Sequence, residues 1–298
     1  MLDEYVFGTA TRISPEAPVM VIRHRETQSV PGGAANVALN IQAMGGTAFL
    51  IGLAGADDGS DQLKRGLVQN GLNPDHVLTD PSRPTTRKTR VVANAAHQVL
   101  RIDYEETREC TDDMAEQICR HAAAVLQSGV DVILASDYQK GALTEAVLAE
   151  VIQLARTTGV PFVANAKPKT AHRYRQATLV SLNRPETEEL VEAAVQKDHA
   201  MQWAGIVRDR IGSDHALVTL GGDGMATESF QIPAVPVQVY DPAGAGDTAI
   251  ATIALGLGAV GFEASVFELA SRTAAAVIQR IGVAVPSSDD LQVIAGTE

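Results

Sequence analysis

The stretch Val239–Ala251 reads VYDPAGAGDTAIA and changes from a strand pattern to a helix pattern within a few residues. Valines occupy every second position from 235 to 239, which is typical of a β-strand, and we predict a strand over 235–240. Small and apolar residues follow Gly246 for more than a helical turn, so we predict a helix over 246–259. Gly244 and Gly246 permit a tight turn between the two elements.

The backbone amides at this predicted helix start belong to Gly244, Ala245 and Gly246. Amides in a first helical turn lack helical acceptors and carry partial positive charge, so they form a site for an anion. Asp247 follows at once. Its carboxylate either stabilises the helix dipole or acts as a general base beside a phosphoryl group that the amides hold during transfer.

The letters GAGDTA also match the G-x-G-x-x-A pattern of dinucleotide-binding folds. A carboxylate inside that pattern would repel a pyrophosphate, and little chain follows for a complete dinucleotide-binding unit. Phosphoryl transfer therefore fits the stretch better than dinucleotide binding does.

Upstream of this stretch, apolar strands alternate with amphipathic helices. We predict helices over 33–44, 58–69, 111–127, 144–157, 185–194, 198–210 and, near the end, 263–281, and strands over 47–53, 130–135, 160–164, 177–181 and 215–220. Segment 17–30 and a hairpin of 87–93 with 97–103 have apolar runs broken by charge, and we predict lid strands there. The pattern predicts an α/β fold whose mostly parallel sheet has helices on both faces. Ligands in such folds bind beyond the carboxyl ends of the strands.

The composition limits the partners of the 298-residue chain. Its formal net charge of −12 disfavours nucleic acid and anionic membranes, so a phosphate ligand needs local cations and amides. The longest apolar stretch is too short to span a bilayer, and no secretory leader opens the sequence. Cys110 and Cys119 form no metal-binding pattern, and we expect idle thiols in a soluble, cytoplasmic protein.

Three further motifs carry polar residues at predicted strand or helix ends. In PGGAAN (Pro31–Asn36), the glycines and Asn36 form either a closely packed helix start or a site for sugar hydroxyls. In LNRPETEE (Leu182–Glu189), Asn183 and Glu186 form either a capping box or a site for hydrated Mg²⁺. TLGGDG (Thr219–Gly224) is either a hairpin turn or a phosphate-binding turn.

Taken in order, these motifs resemble those of the PfkB (ribokinase-like) carbohydrate kinases. The resemblance implies a ribokinase-like three-layer fold in one domain over 1–298, with a small β lid from about 5–30 and 86–104, and ATP and Mg²⁺ as cofactors. It implies that Asp247 is the catalytic base beside the amides of 244–246. The resemblance assigns Mg²⁺ (through water) and the ATP phosphates to Asn183 and Glu186. It assigns the nucleotide to Thr219, Gly221 and Gly224. It assigns the sugar to Gly32, Gly33 and Asn36. Lids of this family often pair between subunits, which implies a homodimer.

Four segments carry a narrower resemblance, and they are RISPEAPV (Arg12–Val19), TRKTR (Thr86–Arg90), LRID (Leu100–Asp103) and SDYQKG (Ser136–Gly141). They resemble kinases that phosphorylate D-glycero-β-D-manno-heptose 7-phosphate at its 1-hydroxyl, on the route to ADP-heptose and lipopolysaccharide. A phosphosugar substrate suits the cations in these segments, Arg12, Lys88, Arg90 and Lys140, and Asp103 and Asp137 would accept its hydroxyls. A kinase of ribose or fructose 6-phosphate and a non-catalytic ligand-binding relic are the alternatives.

The sequence departs from the family pattern at four places. The family usually opens with an apolar strand ending in Gly-Asp, and we expect that strand to be missing before Met1. Asn165, in NAKP, stands where an aspartate is expected, and Pro242 with Ala243 replaces a residue-Thr pair. The stretch SRTA, 271–274, lacks the asparagine expected near adenine.

Overall fold

The computed structural model describes residues 1–94, 97–280 and 282–296. The α-helices are α1 (Ala34–Ala43), α2 (Asp58–Gln69), α3 (Asp112–Gln127), α4 (Glu145–Thr158), α5 (Arg184–Val191), α6 (Ala200–Ile211), α7 (Ala245–Val260), α8 (Ala264–Val277) and α9 (Ser288–Ala295). The strands are β1 (Leu2–Ile13), β2 (Met20–Pro31), β3 (Gly52–Ala54), β4 (Val77–Thr79), β5 (Arg87–Ala93), β6 (His97–Tyr104), β7 (Ile133–Ser136), β8 (Phe162–Asn165), β9 (Leu179–Asn183), β10 (His215–Thr219), β11 (Met225–Thr227) and β12 (Gln231–Ile232).

The central sheet has the strand order β12-β11-β10-β9-β8-β7. Strands β7, β8, β9 and β10 run parallel to one another, whereas β11 and β12 are antiparallel additions at one edge. The sheet is mostly parallel, as the sequence predicted. The carboxyl ends of β7 to β10 therefore lie along the same edge, where an α/β fold places its ligand.

Helices cover both faces of this sheet. Successive side chains of a strand point to opposite faces, so neighbouring residues of one strand pack against different helix layers. In β8, Phe162 and Ala164 pack with residues of α3, α4 and α6 in one core cluster. Val163, between them, packs with residues of α1, α7 and α8 in a second cluster. The architecture is the predicted three-layer α/β fold.

A separate four-stranded sheet forms the lid, in the order β2-β1-β5-β6. β1 pairs antiparallel with β2 and parallel with β5, and β5 pairs antiparallel with β6. All residues of β6 are exposed. The lid occupies the segments in which we predicted lid strands, although Ala95 and Ala96, in the predicted hairpin turn, lie outside the described residues.

Two strand predictions are wrong. Segment 235–240 is not a strand, because Pro233 and Pro236 lack the amide hydrogen that a ladder needs and Val235 and Val239 are exposed. Within the predicted strand 47–53, only residues from Gly52 onward pair, and their partner is the three-residue β4. Alternating apolar residues do not make a strand where no neighbour offers backbone partners.

The C-terminal part also differs from the prediction. α8 ends at Val277, short of the predicted 281, and α9 was not predicted. Ser287 and Asp290 form a capping box at its start, a signal that was visible in the sequence. No helix in the described part of the chain is both long and apolar enough to cross a membrane.

Candidate active site

The first turn of α7 lies at the carboxyl ends of the parallel strands. Its residue Gly246 lines one pocket with Asn165, Asn183 and Thr219, which are the last residues of β8, β9 and β10. Gly244 is the N-cap, with a φ of 87° in the left-handed region that favours glycine. The Ala245 amide donates to the Pro242 carbonyl at 3.3 Å. Within the described ranges, the amides of Gly244, Gly246 and Asp247 have no acceptor. Free amides thus remain at two of the three positions predicted for the anion site.

Asp247 is held on both carboxylate oxygens. Asn36 donates its side-chain amide to Oδ2 at 2.7 Å, and the Tyr138 hydroxyl donates to Oδ1 at 2.8 Å. Burial raises the pKa of Asp247 above its usual range, although these two hydrogen bonds oppose that shift. A carboxylate with a raised pKa is a stronger proton acceptor once it is ionised, which suits a general base.

The glycine pair Gly32–Gly33 lies against the start of β1. A Cβ on Gly32 would stand 1.8 Å from Oδ2 of Asp3, so only glycine fits at this approach. Gly33 has a φ of 59° and precedes α1, which carries Asn36. The early motif therefore brings two glycines, Asn36 and the Asp3 carboxylate close to Asp247, although sequence analysis did not select Asp3.

One face of the lid sheet carries polar residues in register. Asp3, Lys88 and Asp103 form one cross-strand row, because β1 pairs Asp3 with Lys88 and β5 pairs Lys88 with Asp103. Arg90 lies in the next row on the same face and donates to the Asp3 carboxylate at 2.5 Å. Lys88 places its ammonium 5.9 Å from the centre of the Tyr138 ring. The structure thus brings the predicted Lys88, Arg90 and Asp103 together beside Asp247's partners.

Some of the predicted substrate residues lie elsewhere or are already paired with protein groups. Arg12 is exposed near the distal end of the β1–β2 hairpin, away from the row of Asp3. Lys140 forms an ion pair with Glu105 at 2.8 Å. Asp103 accepts two hydrogen bonds from Arg101, at 2.9 Å each.

Asp137, a predicted substrate residue, is held by hydrogen bonds within the protein. It is buried, and its carboxylate accepts hydrogen bonds from the Gln139 amide at 2.7 Å, the Thr170 hydroxyl at 3.1 Å and the Tyr174 hydroxyl at 2.9 Å. Its oxygens are therefore engaged by the protein. Its neighbour Tyr138 reaches Asp247 instead.

The predicted nucleotide side lies at the end of β9. Asn183 caps α5, accepting from the Glu186 amide at 2.9 Å, and Glu186 returns a bond to the Asn183 amide at 2.8 Å. The capping-box interpretation is thus correct, and it does not exclude a ligand, because both residues also line the pocket. The second Glu186 oxygen pairs with Lys167, which also lines it.

The turn after β10 carries the last predicted set. Thr219 lines the same pocket. Gly224 has a φ of 94°, and a Cβ there would stand 2.1 Å from the Ile232 carbonyl, so β12 requires this glycine. Gly221 has a φ of 60° and open space where its Cβ would stand. These glycines shape a β10–β11 turn whose first residue faces the pocket.

The donor set permits a hydrated magnesium ion rather than a closed metal cage. Nowhere in residues 1–94, 97–280 and 282–296 do three His, Cys, Asp or Glu side chains gather as they would around a metal. Glu186 and Asn183 are oxygen donors, and Asn165 lines the same pocket with a neutral amide in place of the expected carboxylate. Mg²⁺ commonly keeps waters and binds through one or two carboxylates plus phosphates, which this set allows.

Sequence analysis missed three residues that the fold brings to the site, namely Asp3, Tyr138 and Lys167. Two of them lay in or next to a motif that had been singled out, because Tyr138 follows Asp137 and Lys167 is part of NAKP. Their roles depend on which way a loop side chain points, which spacing does not reveal.

Comparison with known proteins identifies related sequences. The model of the family "pfkB family carbohydrate kinase" matches residues 5–290. A protein named "Bifunctional protein HldE" from Azorhizobium caulinodans is 39% identical over 98% of this chain, and its namesake from Desulfatibacillum aliphaticivorans is 34% identical over 98%. The chain spans 62% and 60% of these two relatives' lengths, respectively.

Solved structures share the fold. Phosphofructokinase-2 from Escherichia coli, in complex with potassium, superposes with a TM-score of 0.78 at 20% identity, covering 98% of this chain and 94% of the other. Arabidopsis thaliana ribokinase, complexed with ribose and ATP, superposes with a TM-score of 0.74 at 19% identity, covering 100% of this chain and 96% of the other. At such identities the likeness concerns the ribokinase-like fold alone.

Proposed function

The chain belongs to the pfkB family of carbohydrate kinases, enzymes that phosphorylate a sugar, and from that premise we propose that it transfers the γ-phosphoryl group of ATP to the 1-hydroxyl of D-glycero-β-D-manno-heptose 7-phosphate. The observation that carries the proposal is the placement of Asp247. Its carboxylate lies in the first turn of α7 beside free backbone amides, and the predicted sugar residue Asn36 donates to it at 2.7 Å. A base and an anion site in one helical turn are what phosphoryl transfer to a hydroxyl needs.

In the proposed reaction, Asp247 takes the proton of the 1-hydroxyl as the hydroxyl oxygen attacks the γ-phosphorus. The bond between that phosphorus and the bridging oxygen of ATP breaks, and ADP leaves. The free amides of Gly244 and Gly246 donate to the equatorial oxygens of the transferring group and stabilise their charge. Bound Mg²⁺ neutralises phosphate charge, and Asn183 and Glu186 would hold its waters. The amides need no reorganisation during transfer, because the cap at Gly244 already fixes them.

Lys167 supplies a further positive charge on this side. Its ammonium pairs with Glu186, and its field lowers the pKa of Asp247, against the dominant upward effect of burial. It thus lies between the nucleotide side and the base. We assign it to the γ-phosphate of ATP, where a cation stabilises the charge that moves from donor to acceptor.

The lid supports a phosphorylated acceptor. Lys88 and Arg90 lie on its polar face, with Asp3 and Asp103 as acceptors for hydroxyls. On a chain of net charge −12, such a cluster of cations is suited to a phosphate rather than to a neutral sugar.

The lid also supports a homodimer. Leu100, Ile102 and Tyr104 share one face of β6, and their exposed fractions are 52%, 40% and 43%. A second lid would cover this apolar edge strand. Sedimentation velocity should show a dimer, and Ile102→Glu should give a monomer. A wild-type monomer at micromolar concentration would remove this part of the proposal.

An acceptor panel tests the substrate assignment. Mg·ATP is offered with heptose 7-phosphate, fructose 6-phosphate or ribose, and ³¹P NMR identifies the product. We expect a new anomeric phosphate from heptose 7-phosphate alone. Turnover of another acceptor would retain the kinase and discard the heptose, whereas absence of turnover with every acceptor would favour a binding relic.

A further inference from the structure

The hydroxyl of Tyr138 is a direct partner of the base that motif analysis did not identify. It donates to Oδ1 of Asp247 at 2.8 Å, while Asn36 donates to Oδ2 at 2.7 Å. We propose that Tyr138 is a positioning residue that fixes the plane of the Asp247 carboxylate and holds it in the ionised form. The inference rests on the proposed function, because it assigns to Asp247 the role of base.

The turn that carries Tyr138 is itself held in place. Gln139 has a φ of 53°, an uncommon conformation for a residue other than glycine. The buried Asp137 stabilises it by accepting from the Gln139 amide at 2.7 Å and from the Tyr174 hydroxyl at 2.9 Å. Asp137, which we had predicted to bind sugar, thus anchors the turn from behind.

The Tyr138 hydroxyl is a constant donor. Burial raises the pKa of Tyr138 far above its usual range, and the neighbouring Asp247 carboxylate raises it further. The phenol therefore remains protonated at every pH at which a kinase works, and it keeps donating its hydrogen to Asp247. Since Asp247 keeps its own charge, it is still able to accept the proton of a sugar hydroxyl through another lone pair.

The charged groups around Asp247 come from several elements. Asp3 of β1 raises its pKa, and Lys167, after β8, lowers it. Tyr138 and Asn36 lower it through hydrogen bonds, against the larger upward effect of burial. Removing the Tyr138 hydrogen bond leaves burial less opposed, so the pKa of Asp247 should rise and less of the base should be ionised at low pH.

Tyr138→Phe tests the inference, because it removes one oxygen and keeps the ring under Lys88. We expect kcat to fall at every pH and to fall roughly tenfold further at pH 6 than at pH 9, as expected for a lost hydrogen bond to a charged group. The KM for ATP should stay unchanged. Tyr174→Phe is the matched control, since it removes a buried hydroxyl that donates to Asp137 and not to Asp247. Asp137 keeps its hydrogen bonds from Gln139 and Thr170 in that variant.

A second readout does not depend on turnover. In protein labelled with ¹³C at aspartate carboxyls, the Asp247 resonance is identified by its loss in Asp247→Asn. Its titration midpoint should move to higher pH in Tyr138→Phe and stay in place in Tyr174→Phe. Equal midpoints in Tyr138→Phe and wild type, or equal shifts in both tyrosine variants, would overturn the positioning role.

The outcomes also separate this inference from the proposed function. If Asp247→Asn retains full kinase activity, the proposed base is wrong whatever Tyr138 does. If Asp247→Asn is inactive and Tyr138→Phe keeps the wild-type pH profile, the base stands and the role of Tyr138 falls.

Discussion

In the proposed reaction the first turn of α7 and the polar face of the lid would contact the same ligand, but they are held very differently. α7 is packed into the core through buried residues such as Ile250 and Ile253, and both oxygens of Asp247 have partners from other elements. The lid has a fully exposed edge strand, and its charged residues pair mainly within the lid, as Arg90 does with Asp3.

This difference separates two tasks. Phosphoryl transfer depends on fixed distances between a base and charge-stabilising donors, so it belongs on the packed element. Acceptor recognition tolerates movement, and a sheet that closes over the sugar also excludes water from the reaction. Changes at the core side should therefore reduce kcat, and changes on the lid should raise KM.

Among substitutions of Lys167, Arg90 and Gly32, Lys167→Met should have the largest effect. Loss of a cation from the transferring phosphoryl group should lower kcat by about 10²-fold and weaken ATP binding more than ADP binding. Steady-state kinetics and calorimetry with both nucleotides measure these effects. Lys169→Met, an exposed lysine two residues away, is the control. Equal loss of ATP and ADP affinity would contradict the assignment of Lys167 to the γ-phosphate.

Arg90→Met should act on the other side of the comparison. We expect the KM for the phosphosugar to rise roughly 10- to 100-fold, the usual effect of losing a hydrogen bond to a charged group, with kcat changed only slightly. Arg25→Met, at an exposed position of β2, should behave like the wild type. A fall in kcat at constant KM would show that Arg90 acts in the phosphoryl-transfer step. It would contradict the division of tasks between α7 and the lid.

Gly32→Ala tests the contact between the early glycines and the lid. The new Cβ would meet the Asp3 carboxylate, 1.8 Å away, and should displace it from Arg90 at a cost of about 1–3 kcal/mol in the free energy of unfolding. Urea unfolding measures this change. Gly52→Ala, whose Cβ would enter open space, is the matched control. Equal stabilities of the two variants would contradict the close packing.

The pH dependence of stability should show a smaller effect. Because the pKa of Asp247 is raised in the folded state, the stability that Asp247 contributes is fully present below its unfolded pKa and is lost as the pH rises through its folded pKa. Relative to the wild type, Asp247→Asn should therefore gain stability as the pH rises from the unfolded pKa of an aspartate, about 3.9, through the folded pKa of Asp247. Thermal unfolding at several pH values measures the slope, and a constant difference would show that the folded pKa is not raised.

Much of the fold was predictable, because it depends on local pattern. The helix over 58–69 and the strands of the 87–93 hairpin follow from apolar periodicity and from caps such as Asp57. The wrong strand at 235–240 also had the right periodicity, but it lacked backbone partners. Pairing is a property of the neighbouring chain, which a single segment does not reveal.

The site divides in the same way. Asp247, Asn36 and Glu186 belong to motifs that stand out in the sequence. The structure joins Asn36 to Asp247 by a hydrogen bond and places Glu186 in the pocket that Gly246 lines. Asp137 and Tyr138 are adjacent in sequence, yet their side chains point in different directions, which the left-handed turn at Gln139 permits. Sequence spacing therefore did not reveal that Tyr138 would reach Asp247 while Asp137 accepts the Gln139 amide.

The most direct test of the account is ADP release by the wild type and by Asp247→Asn, with Mg·ATP and saturating heptose 7-phosphate. The account predicts turnover in the wild type and a loss of about 10²- to 10⁴-fold in the variant, the usual contribution of a general base, with ATP and sugar affinities retained in calorimetry. Turnover in Asp247→Asn close to that of the wild type would contradict it, because the core would then carry no base at the start of α7.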